Sequence, residues 1–380
     1  MDVIEILQQL IRIPSLSGQE KEVADFLRAK LETFADQVRV DDMNNVIAEI
    51  KGKGDGPVIM FNGHIDVAPV GDMEEPFSGK IIESDFCGTP GPVVYGRGAC
   101  DNKGAVSAML VAAEELAKER NFRGKLILTF VAMEEAGGAI GTKKVLDENK
   151  LTADILILGE ATNLDIYLGH RGKVEFILET IGRSAHASNP GNGVNALLLM
   201  NEFINAWQKV PLPAHETLGQ CTTAITKITV PDPGRTAIIP NSAVMNFDCR
   251  YLPEETPESV RARVERVLEE CAAKNKDFRY KLDVFYYMPP FYTSKENPFI
   301  APLQEAIRAH WKEPKFGAWL FGGDGTFVVN EYGIPTIGFG PAHEEFAHSC
   351  RDHVAVRDVK IAKEVYKDFV LNASVNNGNS

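Results

Sequence analysis

The strongest constraint on the fold is an apolar run of nine residues, KLILTFVAM (125–133), that ends at two adjacent glutamates. A continuous apolar run of this length is typical of a strand that is buried on both faces of a sheet. Residues 153–158 and 334–339 form similar runs, and helical patterns such as 103–117 lie between them. Strands that alternate with helices predict an α/β fold with a mainly parallel sheet and helices on both faces.

The middle of the chain follows a different order. Strand patterns and helical patterns succeed one another there at 173–181, 194–207, 222–230, 243–251, 258–273 and 280–285. This β-α-β-β-α-β order is that of the ferredoxin-like unit. We therefore predict an α+β domain inserted at 172–288 between the two parts of one α/β domain, 1–171 and 289–380.

The N-terminal region predicts two helices. The first carries apolar residues at helical spacing: Val3, Ile4, Leu7, Leu10 and Ile11. Ser17 and Glu20 have the spacing of a capping box, which predicts that Ser17 caps the second helix. At the other end of the chain, the polar tail from Asn376 to Ser380 is expected to fray.

Composition argues against several classes of protein. The net charge of -13 argues against a nucleic-acid partner, which needs a basic surface, and against an anionic membrane surface. No apolar run approaches the ~18 residues of a membrane span. The six cysteines are scattered without a CxxC pair, as is typical of reduced thiols, so we expect a cytoplasmic protein.

Acidic and imidazole side chains follow three predicted strands, at 57–61, 125–133 and 153–158. They are His64 and Asp66, Glu134 and Glu135, and Glu160. In open α/β sheets ligands bind beyond the carboxyl ends of the strands, so we expect these side chains to meet there. Adjacent buried carboxylates repel each other unless cations neutralise them, which favours a metal site.

Two further candidate ligands lie in loops. Asp101 lies in the segment YGRGACDNKG, where Gly96 and Gly98 allow a tight turn that brings the carboxylate inward. His348 lies in GPAHEEFAH, after the last predicted strand. A single aspartate at a turn is more often a helix cap, and a single histidine after a strand is more often a core residue. The common location of all these groups is what favours the metal site.

Nitrogen and carboxylate ligands without cysteine indicate Zn²⁺, with Co²⁺ or Mn²⁺ as substitutes. Two divalent cations that share a carboxylate can polarise a carbonyl group and generate hydroxide near neutral pH. A carboxylate that is not a ligand can then take the proton of the water and give it to a leaving amine. The residues therefore predict a metal-dependent amide hydrolase.

Five segments together resemble the M20 family of metallopeptidases and deacylases: GHID, GRGACDNKG, the Glu134-Glu135 pair, GE at 159–160 and the late AH. The family includes acetylornithine deacetylases, succinyl-diaminopimelate desuccinylases, aminoacylases, dipeptidases and glutamate carboxypeptidases. The resemblance covers nearly the whole chain. It implies hydrolysis of an N-acyl amino acid or a small peptide with a free carboxylate, and a catalytic domain interrupted by a lid that forms a homodimer.

The resemblance also implies a role for each site residue. His64 and Glu160 would bind one cation, Glu135 and His348 would bind the second, and Asp101 would bridge both. Glu134 resembles the general base that activates the bridging water. Asp66 resembles the carboxylate that orients the imidazole of a ligating histidine.

Three residues of the chain resemble substrate-binding residues of the family. His186 in GRSAHAS resembles a histidine that reaches the partner subunit's active site and stabilises the oxyanion. Arg250 in FDCRY resembles an arginine that binds the substrate carboxylate. Gly323 lies in a segment similar to the family's glycine-rich substrate loop. The chain departs from many relatives at Ala237, where they have an asparagine that donates a hydrogen bond.

Two other classes of function compete with this one. A non-catalytic metal-binding or peptide-binding module could retain the fold, but it would lack the base or a ligand, and neither is missing. A nucleotide-binding oxidoreductase could use Gly96 and Gly98, but Asp101 stands where the third glycine of that fingerprint belongs. Within the hydrolases, deacylase, dipeptidase and carboxypeptidase all stay open.

Overall fold

The computed structural model describes residues 1–231 and 237–376, and the chain divides into two units. The first unit consists of residues 1–169, 293–318 and those from 323 onward, and the second consists of 170–292 with 319–322. Apart from Asn376, which ends the last helix, the tail predicted to fray lies outside the described residues. In the described part of the chain, no helix is long and apolar enough to cross a membrane.

The helices of the described residues are α1 (Val3–Arg12), α2 (Lys21–Leu31), α3 (Gly104–Glu119), α4 (Ile140–Asn149), α5 (Ala196–Trp207), α6 (Pro257–Lys274), α7 (Ile300–His310), α8 (Gly325–Tyr332) and α9 (Val356–Asn376). The strands are β1 (Gln37–Val40), β2 (Val46–Lys51), β3 (Val58–His64), β4 (Lys80–Ile82), β5 (Val93–Tyr95), β6 (Lys125–Val131), β7 (Ile155–Leu158), β8 (Ile166–His170), β9 (Gly172–Ile181), β10 (Ala214–His215), β11 (Gly219–Gln220), β12 (Thr223–Thr229), β13 (Ser242–Tyr251), β14 (Arg279–Met288), β15 (Phe291–Tyr292), β16 (Phe316–Trp319), β17 (Thr336–Gly338) and β18 (His353–Ala355).

The main sheet of the first unit confirms the predicted α/β fold. Its strand order is β1-β2-β6-β3-β7-β17-β8, and the four central strands β6, β3, β7 and β17 are parallel. The outer strands β1, β2 and β8 pair antiparallel, so the sheet is mixed at its edges. Nearly every residue of the central strands is buried, because both faces of a parallel sheet are covered.

A smaller antiparallel sheet joins two loops of the first unit. In this sheet β5 lies between β4 and β18, and His353 pairs with Tyr95. Because the two strands run in opposite directions, the chain that leaves β5 lies beside the chain that enters β18. The first of these segments leads to Asp101 and the second comes from His348.

The predicted capping box at Ser17 and Glu20 is wrong. The helix α2 begins at Lys21, and no side chain of the described residues caps its N-terminus. Because Glu20 is the residue before the helix, Ser17 lies too far ahead of it to cap it, and its Oγ donates to Asp66 Oδ2 at 2.8 Å, a charge-assisted hydrogen bond. Glu20 Oε1 accepts from the backbone N–H of Gly18 and of Met133, so both residues support the loop after β6.

The second unit has the predicted β-α-β-β-α-β order. Its four-stranded sheet has the order β12-β13-β9-β14, and every neighbouring pair is antiparallel. Side chains of β9 and β13 alternate between buried and half-buried, so one face of the sheet forms the core with α5 and α6. Phe203, Trp207 and Phe247 stack within that core.

Candidate metal centre

The candidate site of the first unit lies where three parallel strands end. His64 is the last residue of β3 and is in register with Val131, the last residue of β6. On the other side β3 pairs with β7, which ends at Leu158. Glu134, Glu135 and Glu160 follow β6 and β7 within a few residues, so the common ends of the strands gather these groups as predicted.

Asp101 lies at the centre of the cluster. One of its carboxylate oxygens, Oδ1, is 2.8 Å from Nε2 of His64, and the other, Oδ2, is 3.2 Å from Nε2 of His348. His64 Nε2 is also 3.7 Å from a carboxylate oxygen of Glu160. The Nε2 atom of His348 is 2.9 Å from an oxygen of Glu135. Asp101 thus separates two groups, His64 with Glu160 and His348 with Glu135.

The donor atoms fit divalent cations. Oxygen and nitrogen atoms of His64, Asp101 and Glu135 lie within 4.8 Å of one another, close enough to share an ion. Of the described residues, no lysine or arginine contacts the carboxylates of Asp101, Glu135 or Glu160. Within this part of the chain, the positive charge of the two imidazoles therefore balances the negative charge of the carboxylates. A pair of bound divalent cations would take over this role from the imidazole protons.

The charges within the cluster shift the pKa values of its members. Burial alone would lower the pKa of His64, but the hydrogen bond to Asp101 and the charge of Glu160 raise it well above its usual value. Hydrogen bonds to Asp101 and Glu135 raise the pKa of His348 to about 10. Burial and the charge of Asp101 raise the pKa of Glu160 to about 8. These shifts all favour the protonated forms of the two imidazoles and of Glu160.

The turn that carries Asp101 requires glycine. Gly98 has a φ of 84°, and a side chain there would approach Cγ1 of Val67 to 2.5 Å. The peptide bond between Asp101 and Asn102 is cis. The next side chain, Asn102, donates from Nδ2 to Glu160 Oε1 at 3.0 Å, which connects the turn to the loop after β7.

Comparison with known proteins agrees with this geometry. The sequence profile of peptidase family M20/M25/M40 matches residues 60–372. The chain belongs to this family. A succinyl-diaminopimelate desuccinylase from Methylorubrum extorquens is 30% identical over an alignment of 389 positions, which covers 96% of this chain and 96% of that protein.

Solved structures of M20 proteins share the fold. The aminopeptidase PepT from Bacillus cereus is 21% identical with a TM-score of 0.79, and the match covers 98% of each chain. The YXEP protein of Bacillus subtilis, described as a dinuclear metal-binding peptidase of the M20 family, is 21% identical with a TM-score of 0.73. That match covers 97% of this chain and 96% of the other. Family membership makes the present chain a metal-dependent hydrolase of amide bonds.

Asp66 of this M20 protein supports the site through two routes. The Nδ1 atom of His64 is 2.9 Å from the backbone oxygen of Asp66, but 3.7 Å from its carboxylate. The two carboxylate oxygens instead accept from the backbone N–H groups of Glu134 and Glu135, each at 3.1 Å. The backbone of Asp66 therefore orients the imidazole, and its side chain fixes the loop that carries the glutamate pair.

Glu134 lies beside the cluster. In the described part of the chain, its carboxylate makes no hydrogen bond to either imidazole. Burial and the charges of Asp324, Glu160 and Asp101 raise the pKa of Glu134 well above its usual value. A Cβ atom at Gly323 would stand 3.8 Å from Glu134 Oε1, an ordinary van der Waals distance, so Gly323 lies next to this carboxylate. The preceding residue, Met133, has a left-handed φ of 64°, which turns the chain sharply after β6.

Asp324 is a residue of the site that the sequence did not predict. This carboxylate is buried, accepts from Thr142 Oγ1 at 2.5 Å and lies close enough to raise the pKa of Glu134. Burial raises the pKa of Asp324 itself to about 6. Asp324 lies between glycines in the segment GGDG. This segment predicts a glycine-rich loop that binds substrate through its backbone, and it gives no role to the acidic side chain.

The second unit carries His186 and Arg250. His186 is exposed, and its Nδ1 accepts from the backbone N–H of Ser188 at 3.1 Å. The Nε atom of Arg250 donates to Asp248 Oδ1 at 2.9 Å, and its Nη1 lies 3.4 Å from the backbone oxygen of Leu320. The backbone oxygen of Ala237 accepts from Ala187. The substrate-binding roles of His186 and Arg250 stay predictions.

Proposed function

We propose that this M20 hydrolase cleaves the amide bond of an N-acyl amino acid or a small peptide with a free carboxylate, using two zinc ions. The observation that carries the proposal is the placement of Asp101 between two matched groups, each with one histidine and one glutamate. A carboxylate with both oxygens directed at separate imidazoles suits a bridging ligand. Nitrogen and oxygen donors favour zinc, with cobalt or manganese as substitutes.

The ligands divide between the two cations. In our proposal His64, Glu160 and Asp101 hold one cation, and His348, Glu135 and Asp101 hold the other. Each imidazole would bind through Nε2, the atom that faces the carboxylates. The contact of His64 Nδ1 with the backbone oxygen of Asp66 supports this assignment, because a proton on Nδ1 leaves the Nε2 lone pair free.

Glu134 is the proposed general base. When bound by these residues, two divalent cations would supply Lewis acidity toward the substrate carbonyl and would lower the pKa of the attacking water. The Glu134 carboxylate takes the proton of that water and then donates it to the departing amine. The backbone N–H of Glu134 donates to the Asp66 carboxylate, which keeps the Glu134 backbone in place, and Gly323 lies next to the Glu134 carboxylate.

The second unit would contribute to substrate binding. Since Ser188 N–H donates to Nδ1 of His186, the ring proton belongs on Nε2, which can then donate to the oxyanion of the tetrahedral intermediate. Arg250 is the proposed anchor for the substrate carboxylate. Its fork already holds Asp248, so a substrate would bind the remaining Nη hydrogens.

The first experiment is a hydrolysis panel. N-acetyl and N-succinyl amino acids and dipeptides are incubated with protein that contains Zn²⁺, Co²⁺ or Mn²⁺, and with protein kept in a chelator. We expect metal-dependent release of free amine, and the best substrate separates deacylase from dipeptidase or carboxypeptidase. The relationship to a desuccinylase makes N-succinyl substrates the first to test. Absence of both bound metal and turnover would contradict the proposal.

We further propose that residues 172–288 form a lid domain that makes a homodimer. The strand β12 lies at one end of its sheet and exposes Ile225 and Ile228, and α5 exposes Leu197 and Leu198. Exposed apolar edge strands and exposed apolar helix faces are common surfaces for self-association. His186 belongs to the same unit, so a dimer could bring it to the partner's site.

Sedimentation tests the dimer. Ile228→Glu should convert a dimer to a monomer and reduce activity if His186 acts in the partner's site. Phe285→Glu is the matched control, because Phe285 is also apolar and exposed but lies on β14 at the opposite end of the sheet. A wild-type monomer with full activity would contradict the shared site.

The six cysteines are free thiols, which supports the proposed cytoplasmic location.

A further inference from the structure

Two of the proposed ligands lie on neighbouring loops of the small sheet. Asp101 follows β5 and His348 precedes β18, and these two strands pair antiparallel. Neither loop belongs to the main sheet that places His64. The pairing of β5 with β18 brings the two loops side by side but ends before it reaches either ligand. His348 itself is exposed and has a left-handed φ of 57°.

The side chain of Asp352 joins the two loops. It is fully buried and lies on the chain between His348 and β18. Its Oδ2 accepts from the backbone N–H of Gly98 at 2.7 Å, and its Oδ1 accepts from that of Cys100 at 2.8 Å. These two donors flank the turn immediately before Asp101.

Further contacts hold Asp352 in this orientation. Arg97 Nη1 donates to Asp352 Oδ2 at 3.2 Å, and the backbone N–H of Gly96 donates to the backbone oxygen of Asp352 at the same distance. Arg97 is itself buried. One carboxylate thus satisfies three donors of the Asp101 loop while it is covalently attached to the His348 loop, and a neutral side chain could not accept from all of them.

We propose that Asp352 is a positioning residue that sets the separation between Asp101 and His348 and so determines the affinity for the second cation. Its carboxylate acts through the backbone of the Asp101 turn rather than through the side chain of a proposed ligand. The inference depends on the proposed metal centre. It adds a determinant that lies outside the ligand set and outside the segments that contact substrate.

Titration of the metal-free protein with Co²⁺ tests the proposal. The binding steps and the visible absorption of the bound Co²⁺ are measured for wild type and for Asp352→Asn, which keeps the shape but turns an amide N–H toward a backbone N–H. Loss of an outer partner of a ligand usually costs about 10–100-fold in metal affinity. We expect a loss of affinity of this size for the Co²⁺ ion that binds more weakly, together with a changed Co²⁺ spectrum. The affinity for the ion that binds more tightly should be mostly retained.

Glu114→Gln is the matched control. Glu114 is also a buried carboxylate of the first unit, but it binds the N-terminal amine and Lys118 rather than the Asp101 loop. Its loss should lower the melting temperature without a change in Co²⁺ affinity or spectrum. Asp352→Glu, which keeps the charge but moves the acceptor, should give an intermediate affinity and serves as the second variant if Asp352→Asn does not fold.

The outcomes separate this inference from the proposed function. Wild-type protein that binds no Co²⁺ would overturn the metal centre itself. Wild type that binds two Co²⁺ ions, with folded Asp352 variants that bind them with unchanged affinity and spectrum, would overturn only the role of Asp352. The role of Asp352 would also be overturned if Asp352→Glu and Glu114→Gln lost equal stability and Asp352→Glu lost no more Co²⁺ affinity than Glu114→Gln.

Discussion

The two halves of the proposed metal centre are built differently. His64 lies at the end of a central strand, its side chain is 1% exposed, and the main sheet fixes its backbone. The side chain of His348 is 57% exposed and lies on a loop with a left-handed backbone. Both meet the same carboxylate, Asp101. One half is therefore positioned by the fold, and the other by local contacts between loops.

This difference predicts unequal cation sites. The buried half should bind tightly, since its ligands are already ordered and little entropy is lost on binding. The exposed half should bind more weakly and exchange its cation faster, because a loop histidine must be ordered and is open to water. If activity needs both cations, release of the cation from the exposed half should be the first event that abolishes it.

Asp101→Ala should produce the largest effect, because it removes the carboxylate common to both halves. We expect the loss of both cations and a fall in activity that exceeds the contribution of the general base. Metal content per chain, measured after gel filtration, checks the first part, and turnover with excess Zn²⁺ checks the second. If this variant retained one tightly bound cation, one half of the site would be shown to bind its cation without the Asp101 carboxylate.

Glu134→Gln should reduce turnover by about 10²–10⁴-fold, the usual contribution of a general base, and leave both cations bound. The amide keeps the size of the side chain but cannot take a proton. Metal content, kcat and KM are measured together. A fall in activity that follows a loss of metal would place Glu134 among the ligands and contradict its role as base.

Substitution of each histidine sharpens the comparison between the halves. His348→Ala should leave one tightly bound cation, whereas His64→Ala should weaken both steps because the remaining half lacks support from the sheet. Titration of each metal-free variant with Co²⁺ gives the stoichiometry and the affinities. Equal affinities in the two variants would show that burial does not distinguish the halves.

Cation affinity should depend on pH. Hydrogen bonds to Asp101 and Glu135 raise the pKa of His348 to about 10 in the metal-free protein, so this imidazole is protonated at neutral pH. Binding must expel that proton, and apparent affinity should therefore rise about tenfold per pH unit for each proton displaced below the raised pKa. Calorimetry in buffers of different ionisation enthalpy measures the protons released. A constant affinity from pH 6 to 8 would contradict this account.

The sequence predicted the side chains that follow the central strands more completely than those that lie in loops. His64, Glu134, Glu135 and Glu160 could be found because apolar strands end just before them, and parallel strands must end together. Asp101 and His348 could be selected as residue types, but their mutual distance depends on pairing between β5 and β18. That pairing joins short strands more than 250 residues apart in the chain, which no local pattern reveals.

Buried polar contacts were the least predictable feature. Asp324 and Asp352 each stand beside recognisable motifs, yet their function depends on which backbone N–H groups or hydroxyls they meet. Local spacing was also misleading at Ser17, where a helix cap and a side-chain contact to Asp66 compete for one hydroxyl group. Sequence spacing gives the candidates for such contacts, and only the tertiary fold selects among them.

The smallest expected effect distinguishes these two roles of Ser17. As a helix cap, Ser17 would contribute about 0.5–2 kcal/mol to stability and nothing to catalysis. As a donor to Asp66 it helps to hold the loop of Glu134 and Glu135, so Ser17→Ala should lower kcat severalfold and leave KM nearly unchanged. Asp2→Ala is the control, because Asp2 does cap a helix, α1, through the backbone N–H groups of Ile4 and Glu5. If both variants lose stability alike and both keep full kcat, the contact between Ser17 and Asp66 has no role in positioning the glutamate pair.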